Sequence, residues 1–367
     1  MIVWLAMLAF FIASIVAAIL RRAPKEFPAA PRPFTIIMPI KGVSPHLARN
    51  LSALAGLEAA DEIIVAVADA HDPAYAIAAP LAAAYRGRVR FMVGEAPEFA
   101  NPKLRNIAKA YRAARHDTIV FFDDTVAADA GLLGELLGRL AAGARAVTAA
   151  PIGGQTENLP AEIEAAKYNG YLLRIEAFLD LFGLAAGFGN AFAFRKSDLE
   201  RAGGLMRLAE GPCEDNALSR ALRGLGGRFE LAHRNTIRPI GARSWRELAL
   251  RHVRWKNCIK CHDPAVFLLE IWIGGLAFNV LGAVAMAEML GAAWWAGLSA
   301  SAAIWYGGEL LLTVAAGWPL TWRSPPAWLL RDLLQPVFTL VAAFTREVEW
   351  RGVRIEMRWR RPARVRR

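Results

Sequence analysis

The chain has 367 residues, of which 55% are hydrophobic, and carries a formal net charge of +11. This length accommodates one sizeable domain together with membrane helices. The apolar residues collect at the N-terminus and after about residue 264, and the basic residues cluster beside them; that placement argues against a nucleic-acid binder and for attraction to an anionic membrane surface.

Residues 2–20 form an unbroken apolar run of about the length that spans a bilayer. No basic side chain precedes it, whereas Arg21, Arg22 and Lys25 follow it. A secretory signal has the reverse polarity, so residues 1–22 read as an uncleaved transmembrane anchor that leaves the following chain in the cytoplasm.

Residues 33–262 have globular character. Buried strands are expected at 34–40, 62–68, 90–93 and 118–122, with helices at 47–57, 73–85 and 103–114. Strands alternating with helices predict an α/β fold, a mostly parallel sheet with flanking helices. Ligands of such sheets bind at the carboxyl ends of the strands. Asp69, Asp72, Asp123 and Asp124 all fall there.

Each acidic site admits two readings. Asp69 and Asp72 could hydrogen-bond a base or ribose, or Asp72 could cap a helix that has Pro73 at its first position. Asp123-Asp124 could hold a divalent metal that bridges a diphosphate, or could serve as turn and capping acids. Glu214-Asp215, after Gly211-Pro212-Cys213, open a helical stretch to Arg223. One of the two could act as a general base, or both could complement the helix dipole. Ala186-Gly187-Phe188-Gly189-Asn190 does not match the G-x-G-x-x-G phosphate loop. It reads as a glycine-permissive loop that lets backbone approach an acceptor.

Arg251, Arg254 and Trp255 stand at helical spacing just before the chain turns apolar. Arginine grips phosphate bidentately, and tryptophan stacks on a sugar or base. The alternative is an interfacial aromatic with snorkelling cations. Cys258, Cys261 and His262 spell C-x-x-C-H, the haem-attachment pattern. Attachment would require the exported side, opposite to the orientation above, and a zinc site would be short of ligands.

Two further spans are expected at 266–290 and 292–320, with Glu270 and Glu288 near the ends of the first and Glu309 inside the second. Glu270 and Glu288 could reach the interface, and Glu309 should make a packing hydrogen bond to another helix. Residues 327–344 carry Arg331, Asp332 and Pro336 and read as a re-entrant or interfacial helix. That path keeps the tail, a short hairpin around Gly352 and the basic run 358–367, in the cytoplasm.

Taken in order, these motifs resemble the ceramide glucosyltransferase family of membrane GT-A enzymes over most of the chain. Met38-Pro39-Ile40-Lys41-Gly42 is similar to that family's Lys-Pro-Leu-Lys-Gly. Asp69-Ala70-His71-Asp72-Pro73-Ala74 is similar to its Asp-x-x-Asp-Pro-Ala, and Asn101-Pro102-Lys103 to its Asn-Pro-Lys. Asp123 stands at the second acid, Gly203-Gly204-Leu205 and Glu214-Asp215 at the next elements, and Arg251 to Trp255 at Arg-x-x-Arg-Trp. Trp350, Arg351 and Arg354 resemble the C-terminal Trp-Arg hairpin.

The resemblance implies a GT-A domain at 33–262, a membrane region at 264–345 and a basic tail at 346–367. It implies an inverting transfer of a sugar, glucose, from a UDP-sugar to the hydroxyl of a membrane lipid. Ceramide is the first candidate acceptor, with a hopanoid or polyprenyl lipid as the alternative. A rival of another class is a non-catalytic membrane scaffold or transporter. Asp215 would be the general base. Arg251, Arg254 and Trp255 would hold the leaving group, and Asp69, Asp72, Lys103, Asp123 and Asp124 the donor. Position 125 is Thr, so the Asp-x-Asp pattern of many GT-A enzymes is not kept. A divalent metal, Mg or Mn, would then be held through Asp123. The Ala- and Arg-rich composition suggests a bacterial inner-membrane setting.

Overall fold

A computed structural model describes residues 1–21, 27, 32–44, 46–85, 87–209, 213–291, 293–350 and 353–357. In chain order the elements begin with α1 (Ile2–Leu20), β1 (Phe34–Ile40), α2 (Leu47–Ala55), β2 (Glu62–Val67), α3 (Pro73–Ala84), β3 (Val89–Val93), α4 (Pro102–Ala113) and β4 (Thr118–Phe122). Next come α5 (Ala130–Ala141), β5 (Ala146–Thr148), β6 (Pro151–Thr156), α6 (Leu159–Ala166), a π-helical segment (Lys167–Leu173) and α7 (Arg174–Asp180). They are followed by β7 (Ala191–Arg195), α8 (Lys196–Arg201), α9 (Gly204–Leu208), α10 (Glu214–Arg223), β8 (Phe229–Leu231) and β9 (Thr236–Gly241). The last are α11 (Trp245–His262), α12 (Pro264–Ile273), α13 (Gly275–Leu290), α14 (Trp294–Ala316), α15 (Ser324–Phe344), β10 (Glu347–Trp350) and β11 (Val353–Glu356). The chain forms two compact units. One comprises Met1–Ala23, Ile152–Leu181 and Pro239–Arg346; the other comprises Pro24–Pro151, Phe182–Arg238 and Glu347–Arg367.

The second unit is built on a seven-stranded sheet of order β3-β2-β1-β4-β7-β5-β8. β7 runs antiparallel to both of its neighbours, and the other pairings are parallel. The central strands are apolar runs buried along their whole length, as expected where helices cover both faces. Ile36 pairs with Ile63 on one side and Val120 on the other. Ile36, Val65, Val120 and Phe122 pack with Leu51 and Leu136 from α2 and α5 in one core. The chain enters α3 and α4 through the same device, an Asp72 or Asn101 N-cap followed by proline. Side chains of α4 then tie the strand ends together. Asn106 Nδ2 donates to the carbonyls of Ile40 (3.1 Å) and Ala66 (3.0 Å), and Lys109 Nζ donates to those of Val67 (2.9 Å) and Gly94 (2.5 Å). The expected C-terminal hairpin is present as antiparallel β10 and β11; Arg351, Gly352 and the basic run 358–367 lie outside the described residues.

The first unit is a helical assembly in which β6 pairs with β9. Among the described residues three helices, α1, α14 and α15, are long and apolar enough to cross a membrane, and α12 with α13 form a bent pair, a broken span or a re-entrant loop. Aromatic packing joins α1 to α13 and α14: Phe11 stacks on Trp305 at 4.3 Å and meets Phe278 at 5.8 Å. Residues 266–290 are not a straight span, because α12 and α13 meet at a 51° bend, where Gly274 interrupts the helix. Residues 327–344, read as a re-entrant or interfacial helix, lie in one continuous helix, α15, that contains Pro336. Glu270 does not reach the interface: it is buried, and accepts from Lys256 (2.6 Å) and Lys167 (3.3 Å).

Glu309 is bound to another helix, as expected, but by an ion pair. Its two carboxylate oxygens accept from Arg331 at 2.6 and 3.2 Å, and Arg331 also meets Asp332 at 2.8 Å. All three side chains are buried. Removing one member of such a group strands charge in an apolar interior, which typically costs about 3–5 kcal/mol. Arg331→Leu should therefore lower the thermal unfolding midpoint of the detergent-solubilised protein markedly more than Leu311→Ala, an exposed site on the same bundle.

Candidate active site

The sheet unit gathers charge where β4 ends, α4 and α10 begin, and the 186–190 loop leads into β7. Asn101 accepts from the Lys103 and Leu104 amides at 2.8 and 3.1 Å and so caps α4. Its Nδ2 also donates to Glu214 at 2.8 Å. Lys103 Nζ lies 3.0 Å from Glu214 Oε1 and 3.3 Å from Asp123 Oδ1, and donates to the Gly189 carbonyl at 3.1 Å. The Gly189 amide donates to Asp215 Oδ2 at 3.1 Å, and the Asn216 amide donates to Oδ1 at 2.8 Å. The Asp123 amide donates to the Asn190 carbonyl at 2.9 Å, which joins the loop to the end of β4.

This approach requires glycine at position 187 and is eased by glycine at 189. A Cβ at position 187 would lie 2.3 Å from Ser219 Oγ and 2.5 Å from Phe192, and one at 189 would press on Asp215 and Lys103 at 3.1 Å each. The loop is thus permissive, as expected, and the group it approaches is the Asp215 carboxylate.

Charge and burial compete at this site. Burial and the neighbouring Glu214 push Asp215 up to about 6, against the opposing pull of Lys103 and the Asn216 and Gly189 amides. Burial alone would lower the Lys103 ammonium, but Asp123, Glu214 and Asp215 outweigh it and hold Lys103 above its ordinary value. Lys103 therefore stays a cation. Asp215 is a carboxylate that changes state in the neutral range, as a general base must.

The other expected donor residues are placed differently. Asp72 Oδ1 accepts from the Ala74 amide at 2.9 Å, as an N-cap, and from the Gly42 amide at 2.8 Å. That second bond fixes the turn after β1, where Gly42 has φ +64°. Asp69 is exposed and accepts from the His71 amide at 2.9 Å. The two adjacent acids separate sharply: Asp123 is 24% exposed, whereas Asp124 is 1% exposed with its carbonyl accepting from Asn50 at 2.8 Å. Asp124 is thus an interior residue.

Among the described residues, no group of three or more His, Cys, Asp or Glu is arranged to hold a metal, the C-x-x-C-H stretch included. Ions of the Mg type, however, commonly use one or two protein carboxylates and complete their shell with substrate phosphates. The partly exposed Asp123 fits that one-carboxylate mode. The Lys103 ammonium among the three acids is incompatible with a full protein cage.

Arg251, Arg254 and Trp255 lie on α11 in the helical unit. The Arg251 guanidinium sits 5.2 Å from the Trp255 ring centroid, and Tyr168 meets that ring edge-on at 5.3 Å. Arg251 Nη2 is 2.9 Å from the buried Glu164. His252, between the two arginines in sequence, is buried at 5.0 Å from Trp255; burial holds it down at about 4, so it is neutral. Sequence reasoning singled out Asn101 and the loop that holds Gly189 without their partners, and it missed Glu164. The available signal for Glu164 was a pair of carboxylates, Glu162 and Glu164, within a short helix whose other residues are apolar.

Comparison with known proteins supplies the remaining context. The chain resembles a mannosyltransferase from Pyrobaculum calidifontis solved in complex with GDP-Man and Mn2+, at 15% identity and a TM-score of 0.51, over 93% of this chain and 96% of that one. This likeness bears on the fold. A glucosyl-3-phosphoglycerate synthase from Mycobacterium tuberculosis matches at 18% identity and a TM-score of 0.37, over 58% of this chain and 70% of that one. The sequence profile described as glycosyl transferase family 21 matches residues 1–363. With a GT-A-type sheet, apolar helices suited to a bilayer and an acidic site at the strand ends, the chain belongs to glycosyl transferase family 21.

Proposed function

We propose that this glycosyltransferase is inverting and moves glucose from UDP-glucose to the primary hydroxyl of a membrane lipid, with ceramide as the acceptor. The observation that carries the reading is Asp215. It is a buried carboxylate oriented by the Gly189 amide and raised to about 6, beside a lysine that remains charged. In the reaction the acceptor oxygen attacks the anomeric carbon, the bond from that carbon to the diphosphate oxygen breaks, and Asp215 takes the hydroxyl proton. UDP departs with the bonding pair. Lys103 offsets the negative charge of Asp123 and Glu214 around it.

On the motif, Arg251 and Arg254 are assigned to the departing diphosphate, where negative charge builds up, and Trp255 to stacking beside it. Asp69 and Asp72 are assigned to the donor end of the sheet, Asp72 through the Gly42 turn that it fixes; the buried Asp124 is not assigned to donor contact. The similar Pyrobaculum mannosyltransferase, solved with GDP-Man and Mn2+, supports a nucleotide-sugar donor and a divalent metal here. Asp123 would hold that metal, which would neutralise the diphosphate when bound. The Arg and Lys residues after α1 favour a cytoplasmic catalytic unit, and the Ala- and Arg-rich composition favours a bacterial inner membrane.

Asp215→Asn keeps the shape and removes the base. Glucose transfer to ceramide in detergent micelles should fall by about two or more orders of magnitude, with UDP affinity retained; wild-type turnover would remove Asp215 from the role. A hopanoid taken in preference to ceramide by the wild-type protein would reassign the acceptor alone.

The pH dependence has a definite sign. Because Asp215 is raised, it is protonated and inactive as a base below about 6, so kcat/KM should drop about tenfold per pH unit on the acid side. Glu214→Gln removes a neighbouring negative charge that helps raise Asp215, so the acid limb should move to lower pH; a shift to higher pH would contradict the assignment. Chelation with EDTA should abolish transfer, and Mn2+ or Mg2+ should restore it in the wild type but not in Asp123→Asn.

A further inference from the structure

Glu164 carries a carboxylate with no exposed surface, on α6 in the helical unit. A charge so buried is tolerated only when it is paired, and its two oxygens take one arginine each. Arg243 Nε lies 3.1 Å from Oε2, and Arg251 Nη2 lies 2.9 Å from Oε1. The framework around this triad is fixed on both sides. Asn158, the N-cap of α6, exchanges hydrogen bonds with the Arg243 backbone at 2.9 and 3.1 Å. Next in sequence, Ser244 and Glu247 form the capping box that starts α11. Leu248 on α11 packs with Ile163 on α6 in a buried cluster. The turn of α11 that bears Arg251 is therefore held against the turn of α6 that bears Glu164.

Arg243 and Arg251 are 22% and 25% exposed, and the Glu247 carboxylate of the capping box also lies within electrostatic reach of both. Trp255 covers one face of Arg251 at 5.2 Å. Arg251 Nε is buried without a hydrogen-bond partner among the described residues. Arg251 is thus held by its ion pair to Glu164 and by the Trp255 ring. Glu164 itself is inaccessible and carries the wrong sign to touch a diphosphate.

We infer that Glu164 is the positioning residue of the leaving-group clamp: its carboxylate fixes Arg251 in the orientation that receives the departing diphosphate, with Arg243 as the counter-cation that keeps Glu164 in place. The inference rests on the assignment of Arg251 to the diphosphate, and the experiment separates the two. Transfer from UDP-glucose to ceramide in micelles and UDP affinity by titration calorimetry would be measured for Arg251→Ala, Glu164→Gln, Glu164→Asp and the double variant Glu164→Gln/Arg251→Ala.

Loss of a charge-assisted contact that orients a group in the transition state predicts a fall in kcat of roughly tenfold or more for each Glu164 variant, with a smaller change in the KM for UDP-glucose. The double variant should be no slower than Arg251→Ala, because Glu164 acts through that side chain. Glu164→Asp keeps the charge and shortens the reach, so it decides the matter should the glutamine variant not fold. Arg251→Ala with wild-type kcat and UDP affinity would overturn the clamp assignment, and the inference with it. An impaired Arg251→Ala beside Glu164 variants with wild-type kcat, or a double variant whose losses multiply, would overturn the positioning role alone.

Discussion

The site in the sheet unit depends on one ammonium group. Asp123, Glu214 and Asp215 bring three carboxylates to one strand end, and like charges so close would each be driven to hold a proton. Lys103 lies within 3.3 Å of two of them and is raised by all three. The starts of α4 and α10 add the partial positive charge of helix N-termini. Compensation stops short at Asp215, where burial and Glu214 still dominate. That shortfall is what suits Asp215 to the general-base role proposed for it, since a higher pKa makes a carboxylate a stronger proton acceptor.

Local geometry explains why Lys103 can hold this place. Asn101 caps α4 while reaching Glu214, and Pro102 sets the first helical turn, so the lysine leaves the helix at a defined angle. Gly187 and Gly189 have no side chains to obstruct the backbone that meets it. A short stretch of capping chemistry thus orients a charge network that spans four elements.

The helical unit solves a related problem in an apolar setting. Glu164, Glu270 and Glu309 are all buried, and each faces arginine or lysine from another helix or loop. Stranding any of these charges would be strongly unfavourable, so the pairs restrict which helix faces can meet. The same restriction governs the α6 to α11 contact, on which the orientation of Arg251 depends.

Much of the local structure was legible in the chain itself. The apolar run 2–20, the strands at 34–40 and 118–122 and the helix start at Glu214 appear where their periodicity, caps and proline placed them, because short-range sterics and the burial of contiguous apolar side chains decide such elements. The bend at Gly274, the continuity of α15 through Pro336 and the interior position of Asp124 were not legible, since each depends on what packs alongside. The partners of the buried charges were decided only by the tertiary structure. Lys103 and Gly189 are 86 residues apart and Glu164 and Arg243 are 79 apart. A charged side chain carries no local mark of its partner; strand order and helix packing select it.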